Sequence, residues 1–524
     1  MLFRSDYLSK EDLQGAEERL LLQLERLKKY IHFDYCEIDE STIFGVTTNT
    51  LSFVHKIFGA RQVFGAKMVK QAEGNNDISS RWHFVPTKYL VFPCRPICKT
   101  QSESIIGLNR HPIGIPVIWA QLVRGGWGIE DSLVSNRGFL ERNGFLSVNN
   151  QIISEPYESS GDEIMRDGSV VSVEFTNNIP QNIRDNHAPH IYDKLDERGI
   201  IKPGSVVREG DCLIGCYRRI KRELNIEYRD ASIYANRTKV GTVTKILVNQ
   251  VGKRMITIEL QETRVPKLGD KFSSMQAQKG VFGLIEEDWK LPYFIPEDGE
   301  TDSMLAGIIP DIFMDPPAQP SRMTVGMLRD EAYKSEAAIL AGESPDATAF
   351  REEPIDHFAQ IMREYGMDDQ GLKRMINGKT GEELLVRVYS GVVQYLRLVH
   401  EAIDKIQNRY VGSYMPRTHQ PITGRPKGGG QRMGEMEIEA IVTYGCAYQA
   451  KEYLSQMSDL NIIYTCGRCN TQIYRNKANI YYCPICQRPA DLHFAPATYV
   501  EEMRKNYVAG AGLKTTYYLE EDTK

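Results

Sequence analysis

Between positions 269 and 283 the chain reads GDKFSSMQAQKGVFG. Lys271 and Lys279 stand eight residues apart, framed by Gly269, Gly280 and Gly283 and preceded by Asp270. Two fixed cations on a glycine-punctuated segment suit a phosphate-bearing ligand. Lysine keeps its charge at neutral pH, and glycine lets a backbone approach closely. Three other stretches carry related chemistry. IEDSLVSNRG (129–138) places the adjacent carboxylates Glu130 and Asp131 in a Gly-rich context, and PSRMTVGML (320–328) sets Arg322 just after a proline. GARQVFGAKMVKQAEG (59–74) supplies Arg61, Lys67 and Lys70. Acids for a metal ion plus scattered Lys and Arg are what nucleotidyl transfer needs: metal ions activate the attacking oxygen and hold the leaving pyrophosphate, while cations neutralise the triphosphate. Taken singly, each piece is ordinary. Adjacent carboxylates are usually solvated, and lone arginines usually make plain salt bridges.

A second chemistry is local and stronger. CGRC (466–469) is followed, after thirteen intervening residues, by CPIC (483–486). Two Cys-x-x-Cys knuckles so spaced can set Cys466, Cys469, Cys483 and Cys486 tetrahedrally around one structural zinc ion; redox pairing is the alternative. Cys94/Cys98 and Cys212/Cys216 have no second knuckle and read as packed or free thiols.

From Lys405 to Arg432 the chain carries six Lys or Arg residues (405, 409, 417, 425, 427, 432), no Asp or Glu, and a glycine triplet at 428–430. Tyr410, Tyr414 and His419 are interleaved. A basic loop of this kind suits a phosphate backbone, because its cations displace counterions; a solvated loop is the plainer alternative. NGKTG (377–381) only imitates a phosphate loop, since Lys373 stands where that motif requires glycine, and it reads as a turn.

The elements that must position these residues are of mixed type. With 524 residues the chain exceeds one core, and the length suggests about three or four domains. The net charge of −5 confines nucleic-acid affinity to local patches. No apolar run reaches the length of a membrane span and the N-terminus has no signal-peptide core, which points to a soluble, intracellular protein. Leu13, Ala16, Leu20, Leu24 and Leu27 lie at helical spacing in residues 11–29, as an amphipathic surface helix or a docking helix. Residues 80–150 favour strands and loops, GTVTKILVNQVGKRMITIELQE (241–262) reads as a hairpin turning at Asn249–Gly252, and 352–410 reads as helical.

In their order along the chain, these strings resemble a known family. YCEIDESTIFGV (35–46), ARQVFGAKMVKQAEG, EDSLVSNRG, GDKFSS with QKGVFG, PDIFMDPPAQPSRMTVG (310–326), INGKTGEELLVRVYSG (376–391), GGGQRMGEMEIEA (428–440) and the terminal cysteine unit are similar to the C-terminal half of the second-largest subunit of multisubunit DNA-dependent RNA polymerases. The GEME element and the cysteine unit resemble the archaeal, eukaryotic or large-DNA-virus branch. The resemblance implies a multidomain, mixed α+β fold. Residues 1–43 would be an N-terminal amphipathic helix and lead-in, and 44–146 with 266–430 a hybrid-binding region containing a double-psi β-barrel. Residues 147–265 would be a β-rich wall or flap, 431–454 a helical anchor, and 455–524 a clamp segment with a zinc ribbon.

It also implies roles. Glu130 and Asp131 would sit beside a nucleotide-borne magnesium, the catalytic magnesium site being shared with the largest subunit. Lys271 and Lys279 would approach the RNA 3′ end and the reacting phosphates, and Arg61 and Arg322 the incoming triphosphate. Lys70, Arg417, Arg425, Lys427 and Arg432 would contact nucleic acid, the last four from a switch segment along the RNA–DNA hybrid. The chain departs from the family where Met275-Gln276-Ala277 replaces the usual Arg-His-Gly and Trp127-Gly128-Ile129 replaces Tyr-Asn-Gln. It has no D-x-D-x-D triad. The expected partners are therefore the largest subunit bearing that triad, a chain carrying the N-terminal half of a split second subunit, smaller assembly subunits, DNA template, hybrid and NTPs, with no membrane. The chain alone would be inactive; nucleus, cytoplasm and virion stay open as locations. A non-catalytic polymerase-like scaffold and a free zinc-ribbon nucleic-acid-binding protein are the alternative readings.

Overall fold

The computed structural model describes residues 35, 37–74, 85–123, 125–157, 163–164, 170–222, 226–236, 238–249, 255–296, 306–351, 353–473, 481–489 and 492–513. The expected helix at 11–29 lies outside them. The chain forms two compact units, Met1–Asn149 with Thr263–His400, and Asn150–Glu262 with Glu401–Lys524.

The first unit is built on a closed barrel of six strands. In chain order they are β1 (Ile115–Gln121), β2 (Ser132–Asn136), β3 (Lys271–Ser274), β4 (Lys279–Glu286), β5 (Ile312–Met314) and β6 (Val388–Arg397). Around the barrel the order is β3-β4-β2-β5-β1-β6, and β6 returns to β3. Pairing is parallel for β4 with β2 and for β5 with β1, and antiparallel elsewhere. Closure removes free edges and leaves the inward residues to fill the interior. Val117, Trp119, Leu133, Phe272, Phe282, Ile312, Val393 and Tyr395 form one core cluster. Phe272 and Phe282 stack with centroids 4.0 Å apart, and burying each ring contributes about 1.5–3 kcal/mol. Outward residues such as Ala120, Val134, Phe313 and Val388 pack into a second cluster, so these strands are covered on both faces.

That double covering corrects the helical reading of 352–410. Ile355–Glu364 is helical, but Val388–Arg397 is a barrel strand, with eight of its ten residues buried. A strand buried on both faces loses the alternation that marks a half-buried one, and its apolar run imitates a buried helix. Its end carries Arg397, 1% exposed. The guanidinium donates to the Phe145 and Arg264 carbonyls at 2.6 and 2.8 Å and pairs with Asp270 at 3.3 Å. Asp270, next to Lys271, is thus held by a buried cation.

Beside the barrel, Glu331 is buried, accepting bonds from the Gln394 N–H at 2.7 Å, from Ser52 Oγ at 2.8 Å and from Gln276 Nε2. Burial pushes its carboxyl from 4.5 up to about 7, against the pull of those donors. The unfolded chain therefore loses this proton first. Stability should fall as pH rises from about 4.5 to about 7 and then level off, a change of about 3 kcal/mol. Urea melts at stepped pH on Glu331→Gln should lose about that much of the fall, the remainder coming from Glu103 and Asp311, which burial raises to about 7 and about 6; an unchanged slope would refute the assignment.

In the second unit, Gly241–Asn249 pairs antiparallel with Met255–Arg264, as the hairpin reading requires; the turn itself lies outside the described residues. Ile256, Ile258 and Leu260 alternate into its core. Leu460–Cys466 pairs with Gln472–Ile473 and Leu492–Thr498, and Tyr499–Gly510 follows as a helix capped by the Thr498 hydroxyl. The NGKTG segment is a turn, closed by Gly381 N–H on the Asn377 carbonyl at 2.8 Å. Cys98, Cys212 and Cys216 are buried free thiols, and Cys94 is an exposed one. Burial pushes Cys212 and Cys216 up to about 12 and about 11, which keeps them unreactive. No helix among the described residues is long and apolar enough to cross a membrane.

Candidate active site and metal centre

The lysines stand on the hairpin formed by β3 and β4. Lys271 lies opposite Val281 and Ser273 opposite Lys279. The period of two therefore puts both lysines on one face as diagonal neighbours, roughly 7–8 Å apart at the backbone. Phe272 and Phe282, on the other face, anchor the hairpin in the core. Lys279 is exposed and Lys271 half-buried.

Glycine brings this hairpin against the acids. A Cβ on Gly280 would lie 2.7 Å from Leu133 Cγ and 2.9 Å from the Asp131 carbonyl, and the Val281 N–H donates to that same carbonyl at 2.9 Å. Gly280→Ala should push β4 from β2 and destabilise the unit by about 1–3 kcal/mol. Thermal melting of the purified protein checks it; an unaltered midpoint would show that the strands can give way without cost.

Glu130 adopts φ 58°, a left-handed conformation uncommon outside glycine. Its N–H is held by Asp315 Oδ2 at 3.0 Å, and the Glu130 and Asp131 side chains reach solvent. Arg322 ends the short helix Ala318–Arg322, where Met323 turns left-handed. Its guanidinium donates to Gln278 Oε1 at 3.0 Å and pairs with Asp131 Oδ1. Gln278 is buried beside Lys279 and is itself fixed through Nε2 to Thr324 Oγ1 at 2.6 Å. Helix α1 (Gly59–Val69) brings Arg61, which donates to the Ala277 carbonyl in the hairpin turn at 3.3 Å. Burial lowers the pKa of both arginines, and Arg61 lowers that of Arg322 further, so the two cations share one neighbourhood; both stay charged.

The structure thus gathers Arg61, Glu130, Asp131, Lys271, Lys279 and Arg322 around one hairpin. Lys70 is not among the contacts of this group. It caps the far end of α1, nine residues on from Arg61, which is about 13 Å along and half a turn round. Sequence reasoning missed two groups that orient the set, Asp315 and Gln278. Gln278 opens the string QKGVFG, but only packing reveals that it holds Arg322. The altered residues Met275, Gln276 and Ala277 are buried, and Gln276 bonds Ser52 and Glu331 rather than facing the lysines. Ala277 takes φ 65°, where glycine would be unstrained.

In the second unit the four thiols of Cys466, Cys469, Cys483 and Cys486 lie within 4.8 Å of one another. Cys466–Cys486 and Cys469–Cys483 are 3.9 and 3.5 Å apart. Tetrahedral zinc with bonds of about 2.3 Å places sulfurs about 3.8 Å apart, so the cluster fits zinc. It is the one cluster of three or more such ligands among the described residues, so Glu130 and Asp131 stand as two carboxylates without a third metal-ligating group beside them among those residues. Exposed oxygen donors of that kind suit magnesium, which keeps most of its water.

The basic loop is folded on itself. Arg409 donates to the Gly428 and Ser413 carbonyls at 2.9 and 3.1 Å, and Arg425 to that of Asp404. Gln407 ties the glycine triplet through Gly429 and Gly430 at 2.8 and 3.0 Å. His419 stacks on Tyr499 at 3.8 Å. Arg417, Lys427 and Arg432 are exposed and engage no partner among the described residues.

Comparison with known proteins places this geometry. The family described as RNA polymerase Rpb2, domain 6, matches residues 47–427, and RNA polymerase Rpb2, domain 7, matches 429–503. The chain belongs to the RNA polymerase Rpb2 family. It is 30% identical over 492 residues to DNA-directed RNA polymerase subunit Rpo2 of Saccharolobus shibatae, covering 92% of this chain and 42% of that protein. It is also 30% identical over 496 residues to DNA-directed RNA polymerase II subunit RPB2 of Eremothecium gossypii, covering 91% and 39%. For DNA-directed RNA polymerase II subunit 2 of Arabidopsis thaliana the identity is 30% over 472 residues, covering 88% and 38%. The chain spans about two fifths of the length of these relatives.

Proposed function

We propose that this chain forms one wall of the active centre of a multisubunit DNA-directed RNA polymerase, as the C-terminal half of its second-largest subunit. The observation that carries the reading is the single face on which Lys271 and Lys279 stand beside the Arg322–Asp131 pair. A rigid barrel presenting fixed cations stabilises charge that develops on a transferring phosphoryl group, with no reorganisation at the moment of reaction. Lys271 and Lys279 hold the reacting phosphates and the RNA 3′ end, and Arg61 and Arg322 hold the triphosphate. Arg322, now paired with Asp131, can exchange that carboxylate for a phosphate. Glu130 and Asp131 would hold a magnesium ion arriving with the nucleotide, which supplies charge neutralisation on the phosphates. The permanent catalytic magnesium belongs to the aspartate triad of the largest subunit.

The barrel is of the double-psi type in this reading, and the basic loop through Arg417, Arg425, Lys427 and Arg432 lies along the RNA–DNA hybrid, with Lys70 as a further nucleic-acid contact. The four cysteines hold a structural zinc in a clamp ribbon, and residues 431–454 form the anchor. Partners are the largest subunit, a chain with the N-terminal half, smaller assembly subunits, template and NTPs, inside the cell. Native purification tests this. A stoichiometric large chain bearing D-x-D-x-D, together with template-directed nucleotide incorporation, is the expected result. A chain that purifies without such a partner and without incorporation would overturn it in favour of a scaffold.

A further inference from the structure

One segment of chain grips the turn of the lysine hairpin at two glutamines. Gln278 donates through Nε2 to Thr324 Oγ1 at 2.6 Å. Gln276 donates through Nε2 to Ser52 Oγ at 2.7 Å and to the Glu331 carboxylate. Thr324 lies just before the wide-turn helix Gly326–Ala332, and Glu331 lies in its last turn. Helices of this π type concentrate at functional sites. Between the two grips, the Ala277 carbonyl accepts from Arg61 at 3.3 Å and Gln278 Oε1 from Arg322 at 3.0 Å. The turn therefore carries the acceptors that aim both arginines, and Lys279 follows it directly.

Asp330, Glu331 and Glu336 are all buried in this stretch, and two of them are ordinary. Asp330 pairs with Lys56 at 2.8 Å and with Lys334 at 3.1 Å, and Glu336 pairs with Lys373 at 2.7 Å. Glu331 enters no ion pair among the described residues. Its oxygens face three donors, the Gln394 N–H of β6, Ser52 Oγ and Gln276 Nε2. A carboxylate so surrounded is complete as the anion, because protonation turns one of its oxygens into a donor. Gln276 Oε1 is buried without a partner among the described residues. The acid form reaches it only by turning the amide over, which withdraws Nε2 from Ser52. The titratable groups that face Glu331 are Glu103, Cys98 and Tyr395, and burial raises all three, so none supplies a cation.

We propose that Glu331 is a positioning residue for nucleotide addition, its anion fixing through Gln276 the turn on which Arg61, Arg322 and Lys279 depend. The inference rests on the reading of this hairpin as part of a polymerase active centre, and adds to it a buried group that touches neither substrate nor metal. Burial holds the Glu331 carboxyl at about 7, so acid and anion are both present near neutrality. The anion prevails above that value, and addition should slow as pH falls through it. Burial favours the acid while the grip on the turn favours the anion, a conflict of stability with activity that functional sites commonly carry.

The test is single-nucleotide addition by the assembled polymerase at saturating NTP, followed from about pH 6 to about pH 8. Glu331→Gln has the shape of the protonated acid. It should add nucleotide about tenfold more slowly at the alkaline end, within the roughly hundredfold that a misplacement of about 1 Å can cost. It should also lose the acid limb of the profile near neutrality. Gln276→Leu should do the same, and the two changes together should cost no more than either alone, since they cut one connection. Glu336→Gln, equally buried but bonded to Lys373 rather than to the hairpin, should lower the melting temperature and leave rate and profile unchanged. Thermal melting checks that Glu331→Gln folds; if it does not, Gln276→Leu carries the test. Normal addition by both hairpin variants, or an equal loss in Glu336→Gln, would overturn the positioning role. Should the Lys271 and Lys279 variants slow addition while these do not, the active-centre reading stands and this inference alone fails. An assembled chain that supports no addition at all removes both.

Discussion

Replacing Lys271 or Lys279 by alanine should slow nucleotide addition by the assembled polymerase about 10²–10³-fold each, the usual cost of removing one preorganised donor to developing charge. Both side chains project from the barrel face opposite the Phe272–Phe282 stack, so neither substitution opens a cavity in the core. The loss should therefore appear in the rate of addition at saturating NTP, with assembly and thermal stability preserved. Lys70→Ala, at the far end of its helix, should have little effect on that rate. Rapid-quench measurement of single additions on a preformed RNA–DNA scaffold reads all three variants. Unchanged addition by the lysine variants would sink the catalytic assignment and leave the barrel as scaffold. Arginine at either position should restore only part of the rate, since its planar fork cannot occupy the site of a compact ammonium.

Removing zinc should unfold the cysteine-bearing segment and leave the barrel folded. Among the described residues, the cluster around the thiols has Cys466, Ile473 and Cys483 as its buried members, with Cys469, Tyr481 and Cys486 packed beside them. So small a core cannot offset the entropy of ordering its loops, and the metal must supply the difference, on the order of 10 kcal/mol at neutral pH. Atomic emission should find one zinc per chain. Chelation, or Cys483→Ser, should release it and abolish amide-exchange protection over Leu460–Cys466, while protection in Val388–Arg397 persists. Retained protection after complete loss of metal would show that the segment folds without it.

These two centres differ in how far the sequence discloses them. The thiol cluster was legible because its geometry is local: each knuckle brings two sulfurs together within one turn, and the second knuckle needs only a short loop to arrive. The hairpin of 241–262 was legible for a related reason, since Ile256, Ile258 and Leu260 alternate against a single core. The lysines, arginines and paired acids were recognisable by type and by family resemblance, yet nothing in their spacing says which of them meet.

Tertiary structure alone decided that. Val281 pairs with Ser132, and Phe272 with Arg397, across more than a hundred residues, and it is this closure that sets Asp131 beside the lysine hairpin and Arg322 on Gln278. Val388–Arg397 was misread as helix because barrel closure covers both its faces and erases the period-two signal. Gln278 and Asp315 carry no motif of their own; each acquires its part from a neighbour that only the folded barrel delivers. Residue chemistry and short-range period are written along the chain, whereas strand closure depends on contacts between distant segments, whose partners no local pattern names.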